Sequence, residues 1–329
     1  MPSEAYKLAE QYRNALADNN IQSIKLIVDA YQGMYRRLSD KIELLTYEIG
    51  NLEHPTRAEL MRLRRLTDLI AQVEEELSRY GVLEQANLSV YARQALERGL
   101  RESRALAEAQ FAEYGIQASM RGLTPQAVES LLGFLDPGGK LYQRIGKLAG
   151  ETAARMRDNI IEGVMLGKNP RAIAAQIVKD LGLSLTSAMR TTQTVQMYAY
   201  REASRANYYA NRDIVEGWYW MSSLDPRRSC IACISMHGTF HTLEETLDDH
   251  YNGLCYMIPG VKGTPNQIEV NGKEWFDALA PNKQAEIMGR GVHKLYTSGQ
   301  VGWDQLAVHR EEEVYGSMIG STPLRDLLP

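Results

Sequence analysis

The residues best suited to chemistry are the three cysteines of the chain, Cys230, Cys233 and Cys255, which all lie in one short segment. Three of the six histidines fall in the same segment, namely His237, His241 and His250. Thiolate sulfur and imidazole nitrogen are the ligands that zinc prefers, and a structural zinc site takes four of them. The clustering therefore indicates a metal site.

The predicted ligands are Cys230, Cys233, His250 and Cys255. The first two form a Cys-x2-Cys turn that brings two thiols to one ion, and the other two follow a 16-residue gap as His-x4-Cys. His237 and His241 are rival ligands, since either could replace His250 in a similar geometry. A closed tetrahedral site contributes folding energy, and the polar loop between the pairs needs such support. We therefore predict a structural zinc ion.

Two other interpretations of the cysteines stand beside zinc. A Cys-x-x-Cys motif also serves thiol–disulfide exchange, but that motif sits at a helix start in a βαβ pattern, which this sequence lacks. Alternatively, the cysteines are small buried residues that bind no metal. An odd number of cysteines in a reducing compartment does not favour a disulfide framework.

A catalytic interpretation would use the acidic run that ends beside His250. The run contains Glu244, Glu245, Asp248 and Asp249, which a helical turn would place on one side. Such runs are typically solvated faces, and no histidine is singled out as a base. A metal-dependent nuclease or other processing enzyme on a helical carrier is therefore the alternative, and we predict that the protein is not an enzyme.

Composition limits the function classes. The chain has 329 residues, 44% of them hydrophobic, and a net charge of -4, which is typical of a folded protein with no basic excess for nucleic acid. No apolar run approaches the roughly 20 residues that span a bilayer, so no membrane partner is expected. The first residues lack a basic head and an apolar core, so we expect folding in a cytoplasm rather than secretion.

The N-terminal third predicts a coiled-coil hairpin of two long helices. A heptad seam sustained over about four heptads carries Ile24, Val28, Tyr31, Tyr35, Leu38, Ile42, Leu45, Ile49 and Leu52. Pro55 ends this helix, and Thr56 with Glu59 begins the next. The second stripe is Leu60, Leu63, Leu66, Ile70, Val73, Leu77 and Tyr80. The hairpin is either a protruding docking arm or part of its own domain's core.

The remaining elements are mostly helical until residue 213. Helices are expected over 82–122, from Thr124-Pro125, over 140–166 after a break at 136–139, over 171–181 with an end at Gly182, and over 187–212. The aromatic and β-branched segment 214–221 predicts a strand. Loop is expected beyond Pro259 up to Asn271, a helix from Pro281 to Met288, and a loose tail from Gly316.

These elements predict a mainly α fold. It comprises a long helical hairpin and a helical core, with a small α+β metal-binding module toward the C-terminus. The predicted regions are 1–136 for the hairpin, 137–265 for the core with the Cys/His cluster, and 266–329 for a helical extension and tail.

The segment from Gly167 to Pro259 resembles the phage head-morphogenesis, or minor head protein, family typified by the F protein of phage Mu. One block is Gly167-Lys-Asn-Pro-Arg-Ala-Ile-Ala, and a second is Ala188-Met-Arg-Thr followed by an Ala/Tyr-rich helix. The third block contains a tryptophan, an acidic-to-arginine step, the Cys-x-x-Cys, a glycine and the His-to-Cys end. Here these are Trp220, Asp225 with Arg228, Cys230, Cys233, Gly238, His250, Cys255 and Pro259.

The chain departs from the family pattern at four places. Thr192 stands where the family usually has Glu, and Asp225 lies one residue further from the cysteine. Gly253 occupies the first cysteine position of the family's Cys-Arg-Cys end, which leaves only Cys255. Asp248-Asp249 replaces the proline that often precedes the histidine.

The resemblance implies a low-copy minor capsid protein inside the procapsid that aids head assembly. The implied partners are the portal protein and the major capsid or scaffolding protein, with contact to packaged DNA and a role in DNA packaging or ejection as further expectations. The implied location is the interior of the virion, after assembly in the host cytoplasm. A DNA-binding internal virion protein is a further alternative, which the net charge disfavours.

Overall fold

The computed structural model describes residues 3–49, 64–132, 140–166, 170–312 and 316–328. Most of these residues are helical, and the strands among them follow residue 214. The predicted mainly α fold with a small α+β region toward the C-terminus is therefore confirmed.

The elements are numbered in chain order. The helices are α1 Glu4–Ile49, α2 Arg64–Tyr114, α3 Pro125–Leu132, α4 Lys140–Met165, α5 Pro170–Ala210, α6 Ile231–Met236, α7 Gly272–Asp277, α8 Pro281–Met288, α9 Arg290–Thr297 and α10 Leu324–Leu327. The strands are β1 Val215–Met221, β2 Phe240–His241, β3 Tyr256–Val261, β4 Ala307–Glu312 and β5 Gly316–Ser321.

The chain forms two compact units. One contains Met1–Asn19, Ala92–Gly133 and Thr194–Pro329, and the other contains Asn20–Tyr91 and Phe134–Gln193. Helices α1, α2 and α5 each contribute residues to both units. The three predicted region boundaries stay a prediction.

The predicted hairpin is confirmed in the second unit. The rings of Tyr31 and Tyr80 pack edge to face at 4.5 Å between centroids. Six residues further along α1, Arg37 donates two hydrogen bonds of 2.7 Å to Glu76, four residues earlier on α2. The residue numbers of these contacts increase along α1 while they decrease along α2, so the two helices are antiparallel. The predicted break at Pro55 and the Thr56 cap lie outside the described residues.

The predicted seam of α1 is displaced by about one position. Tyr31 and Leu38 are buried as expected, but Ile27 and Met34 join them, whereas Tyr35 is 41% exposed. The buried set steps by four, three and four residues, which is still a coiled-coil spacing. The apolar residues of α1 outnumber the positions on one stripe, so the sequence pattern fits two registers. On α2, the predicted stripe is confirmed from Leu66 to Tyr80.

The expected helix break at Gly182 is wrong, because α5 continues from Pro170 to Ala210. A glycine inside a helix costs only about 1 kcal/mol. On either side of Gly182, Leu181 and Ala188 are buried in the core of the second unit, and their packing offsets that cost. The helix expected over 82–122 instead ends at Tyr114, where Gly115 takes a positive φ of 65°.

Glu84 is a buried acid on α2 that makes the second unit sensitive to pH. Its side-chain atom Oε1 has no hydrogen-bond partner among the described residues, and it lines a small cavity with Tyr80, Asn87 and Thr192. Burial raises the pKa of Glu84 to about 7, although the nearby Tyr80 hydroxyl opposes this shift. Ionising Glu84 therefore costs more free energy in the folded protein than in the unfolded chain.

The substitution Glu84→Gln is expected to stabilise the protein at pH 8 and to have little such effect at pH 4. Because the pKa of Glu84 is raised in the folded protein, its ionisation costs no free energy of unfolding below the unfolded pKa near 4.5. As the pH rises through 7, the free energy of unfolding of the wild type falls by a total of about 3 kcal/mol. Urea unfolding between pH 4 and 8 measures the change. Glu97→Gln, an exposed site on the same helix, is the control. Equal pH profiles for Glu84→Gln and the wild type would contradict the prediction.

The C-terminal part of the first unit contains two antiparallel sheets. The first has the order β2-β1-β3, and β1 confirms the predicted strand. The loop expected beyond Pro259 begins only after Val261, because β3 continues to Val261, which pairs with Val215, while Pro259 inside β3 pairs with Trp218. Proline is tolerated there because β3 is an edge strand. The loose tail expected from Gly316 is wrong, since β5 pairs along its length with β4. Helix α8 confirms the helix predicted from Pro281 to Met288.

Helices α2 and α5 approach closely within the first unit, and this contact fixes the position of Arg201 on α5. A Cβ atom on Gly99 would lie 2.4 Å from the Tyr200 carbonyl oxygen, so only glycine fits. Next to that contact, Ser204 donates a hydrogen bond of 2.9 Å to the same carbonyl, and Asn207 donates one to Ser103. Arg201, which follows Tyr200 on α5, is thereby held against the segment 249–255.

Candidate metal centre

The Cys-x2-Cys turn is shaped by the beginning of α6. The carbonyl oxygen of Asp225 accepts hydrogen bonds from the backbone of Arg228 and Ser229, which turns the chain after β1. Cys230 then caps α6, and its sulfur accepts the backbone N–H of Cys233 at 3.4 Å. The two sulfur atoms consequently lie 3.5 Å apart on one side of the turn.

His250 completes a trio of donors with these two cysteines. Its Nε2 atom lies 3.2 Å from the sulfur of Cys233, and all three donor atoms lie within 4.8 Å of one another. The other ring nitrogen, Nδ1, lies 2.7 Å from the carbonyl oxygen of Tyr251, to which it donates. This contact leaves Nε2 directed at the thiols, as in metal-bound histidines.

Cys255 lies on the other side of Cys233. Its donor atom forms a second trio, within 4.8 Å, with Cys233 and a carboxylate oxygen of Asp249. The four predicted residues Cys230, Cys233, His250 and Cys255 are therefore brought together in one cluster that could hold a metal ion. Cys233 is common to both trios and lies at the centre of the cluster.

The rival histidines His237 and His241 belong to neither trio. His237 is buried, and its Nδ1 accepts the backbone N–H of Ser222 at 3.0 Å, so it fastens α6 to the end of β1. His241 stacks on Trp218 with 4.3 Å between ring centroids and contacts Glu245 and Thr239. Both histidines stabilise the module outside the cluster.

Asp249 is the residue of the site that the sequence did not single out as a ligand. It is 2% exposed, and one carboxylate oxygen, Oδ1, lies 3.3 Å from the sulfur of Cys233. The other oxygen, Oδ2, accepts a hydrogen bond of 2.6 Å from Arg201 and one of 3.0 Å from the backbone of Cys255. Arg201 also donates to the carbonyls of Gly253 and Cys255, so one guanidinium fastens the whole loop.

The expectation that the acidic run forms a solvated side of a helical turn is wrong. Residues 242–250 contain no helix, and Asp249 turns into the protein while Glu244 and Glu245 remain exposed. The sequence of the run itself does not indicate which acid is buried, because its acidic residues show no regular spacing. The partner that accounts for the burial, Arg201, lies 48 residues earlier on α5.

The protonation states of the cluster are strongly shifted. The hydrogen bond from Cys233 is the largest effect that lowers the pKa of Cys230, to about 4, and His250 adds to it. Burial lowers the pKa of His250, but the contacts with Cys230 and Asp249 outweigh it and raise the value to about 10. The hydrogen bond to Cys230, the hydrogen bond to Cys255 and burial raise the pKa of Cys233. A metal must therefore displace protons from Cys233 and His250.

Burial also raises the pKa of Asp249, but Arg201 and His250 overcome this effect and leave the pKa below its usual value. The carboxylate is therefore ionised and contributes a fixed negative charge inside the cluster. The surroundings are apolar, with Trp220, Leu243 and Met257 in the same buried group as Cys233. Two thiols and an imidazole beside this apolar group are donors that could hold a metal ion.

The departure at Gly253 has a structural explanation. A Cβ atom at this position would lie 2.0 Å from the Oδ2 atom of Asp249. The carboxylate of Asp249 therefore fills the space into which a side chain of residue 253 would project, and the cysteine of the resembled pattern would not fit beside it.

Comparison with known proteins gave no relatives, since no family model, no curated sequence and no solved structure matches the chain. Across the described residues, none of the helices is both long enough and apolar enough to traverse a bilayer.

Proposed function

We propose that this chain is a phage minor head protein that acts in procapsid assembly, with its C-terminal module folded around a structural zinc ion. The observation that carries the proposal is the convergence of Cys230, Cys233 and His250 around the buried Cys233 sulfur. These residues belong to the block that most resembles the minor head proteins, and their donor atoms are suited to one ion. A module that a bound metal stabilises suits a particle component that must survive assembly and packaging.

The proposed place of action is the interior of the procapsid, next to the portal, with the capsid or scaffolding protein as a second partner. The helical hairpin in the second unit supports this proposal as a rigid element, because its antiparallel helices are joined by the Arg37–Glu76 pair and a continuous apolar core. Packaged DNA is a weaker proposed contact, because the net charge of -4 supplies little phosphate neutralisation.

The nuclease alternative receives less support from the geometry. Of its proposed carboxylates, Glu244 and Glu245 are exposed, and Asp249 is engaged by Arg201. A catalytic metal needs an open coordination position and a nearby base, whereas the sulfur of Cys233 is enclosed by the cluster on both sides.

Metal binding and the assembly function are tested by separate measurements. Elemental analysis of the purified full chain is expected to find one zinc ion per chain, and a metal-free protein with an unaltered fold would refute the zinc. The gene is expected to lie directly after those of the terminase and the portal. Co-expression with that neighbouring portal protein should then yield a complex on size exclusion. A gene far from any portal gene, or separate elution of the two proteins, would contradict the assembly function.

A further inference from the structure

The cluster offers five donors to an ion that takes four, and the carboxylate of Asp249 lies among them. We infer that Asp249 is a metal ligand through its Oδ1 atom, and that it completes the site with Cys230, Cys233 and His250. In this assignment, Cys255 is a buried structural thiol outside the coordination sphere. The inference rests on the metal binding proposed above, and it changes which residues hold the ion.

The spacing of the donor atoms supports this set. Zinc binds sulfur at about 2.3 Å and nitrogen or oxygen at about 2.0–2.2 Å, so neighbouring donors of a tetrahedral site lie roughly 3–4 Å apart. The sulfur of Cys233 lies 3.5 Å from that of Cys230 and 3.2 Å from Nε2 of His250. Oδ1 of Asp249 lies 3.3 Å from Cys233 and 3.7 Å from Nε2 of His250. These four of the six donor separations match the edges of a tetrahedral site.

The hydrogen bonds of Asp249 leave one oxygen available. Oδ2 accepts from Arg201 and from the backbone of Cys255, which uses its two lone pairs. Among the described residues, Oδ1 accepts the backbone N–H of His250, at 2.8 Å, and otherwise contacts only the thiol of Cys233. When the metal displaces the Cys233 thiol proton to solvent, the second lone pair of Oδ1 is free to face the ion.

The charge of the buried site favours the same assignment. Two thiolates and one carboxylate around a divalent ion have a net charge of minus one, which the guanidinium of Arg201 neutralises. If Cys255 were a third thiolate, Asp249 would still be ionised beside Arg201, and the buried site would keep one uncompensated negative charge. Burying such a charge is costly. An ion held by Cys230, Cys233, His250 and Asp249 avoids this cost.

Arg201 is then a positioning residue for the ligand. Its three hydrogen bonds go to Oδ2 of Asp249 and to the carbonyls of Gly253 and Cys255, so the orientation of the carboxylate is fixed from the side opposite the ion. The missing side chain of Gly253 provides the space for this arrangement, since any Cβ atom there would overlap the carboxylate. Partners of this kind hold metal ligands in their binding geometry.

X-ray absorption spectroscopy of the zinc-loaded full chain tests the inference without any substitution. Two sulfur and two nitrogen or oxygen ligands are expected, and three sulfur ligands would overturn the assignment of Asp249. A protein that retains no zinc would instead refute the proposed metal centre itself, so the two failures are distinguishable.

Cobalt substitution of two variants provides the second test. The thiolate-to-cobalt charge-transfer absorption grows with the number of bound thiolates, so Cys255→Ala is expected to keep the wild-type intensity. Asp249→Asn is expected to weaken cobalt binding roughly 10–100-fold and to change the ligand-field bands. Loss of about one third of the charge-transfer intensity in Cys255→Ala would overturn the inference, as would an unchanged cobalt affinity in Asp249→Asn.

Discussion

The substitution Cys233→Ser is expected to abolish zinc binding and to lower the stability of the first unit by more than about 4 kcal/mol. Cys233 is the one residue common to both donor trios, so its loss breaks every arrangement of ligands that the cluster allows. For a unit of this size, the corresponding fall in Tm is roughly 8–16 °C. Calorimetry and elemental analysis of the same samples measure the two effects together.

The contribution of the metal can be separated from that of the buried side chain. Cys233 is 3% exposed, and serine at this position also removes apolar contacts. After exhaustive chelation, the wild type and Cys233→Ser should differ by no more than the cost of that small packing change. Ser235→Ala, on the same helix, is the control and should keep its zinc. A difference in Tm that survives chelation undiminished would show that the cysteine acts by packing alone.

The site could be predicted from the sequence where its residues are close together in the chain. The Cys-x2-Cys spacing depends on one helical turn, and the aromatic segment before it is a strand by composition alone, so both Cys230 and β1 were predictable. The choice of His250 over His237 and His241 was only partly predictable. It depends on the backbone of Ser222 and on the ring of Trp218, which engage the other two histidines.

Features that depend on distant partners were not predictable in this way. Asp249 carries the same carboxylate group as the other acids of the run, and the approach of Arg201 from α5 distinguishes it. The continuity of α5 through Gly182 depends on the core of the second unit, which outweighs a local propensity of about 1 kcal/mol. The pairing of β5 with β4 similarly replaces the expected loose tail, because a weak strand becomes stable once its partner lies beside it.

The substitution Arg201→Met is expected to destabilise the metal-free protein by about 3–5 kcal/mol, because it leaves Asp249 as a buried charge without its partner. Both side chains of the pair are almost fully enclosed, with 7% and 0% of their surfaces exposed. Methionine retains most of the aliphatic volume, so the effect reports the lost charge and hydrogen bonds. Urea unfolding in the presence of a chelator measures it.

A matched control lies one turn further along the same helix. Arg205 pairs with Glu202, but its side chain is 26% exposed, so Arg205→Met should cost less than about 1 kcal/mol. The double variant Arg201→Met with Asp249→Asn removes both charges, and it should recover part of the stability lost in Arg201→Met. If the double variant is as unstable as the sum of the two single variants, the pair is not coupled. Arg201 would then stabilise the loop only through the carbonyls of Gly253 and Cys255.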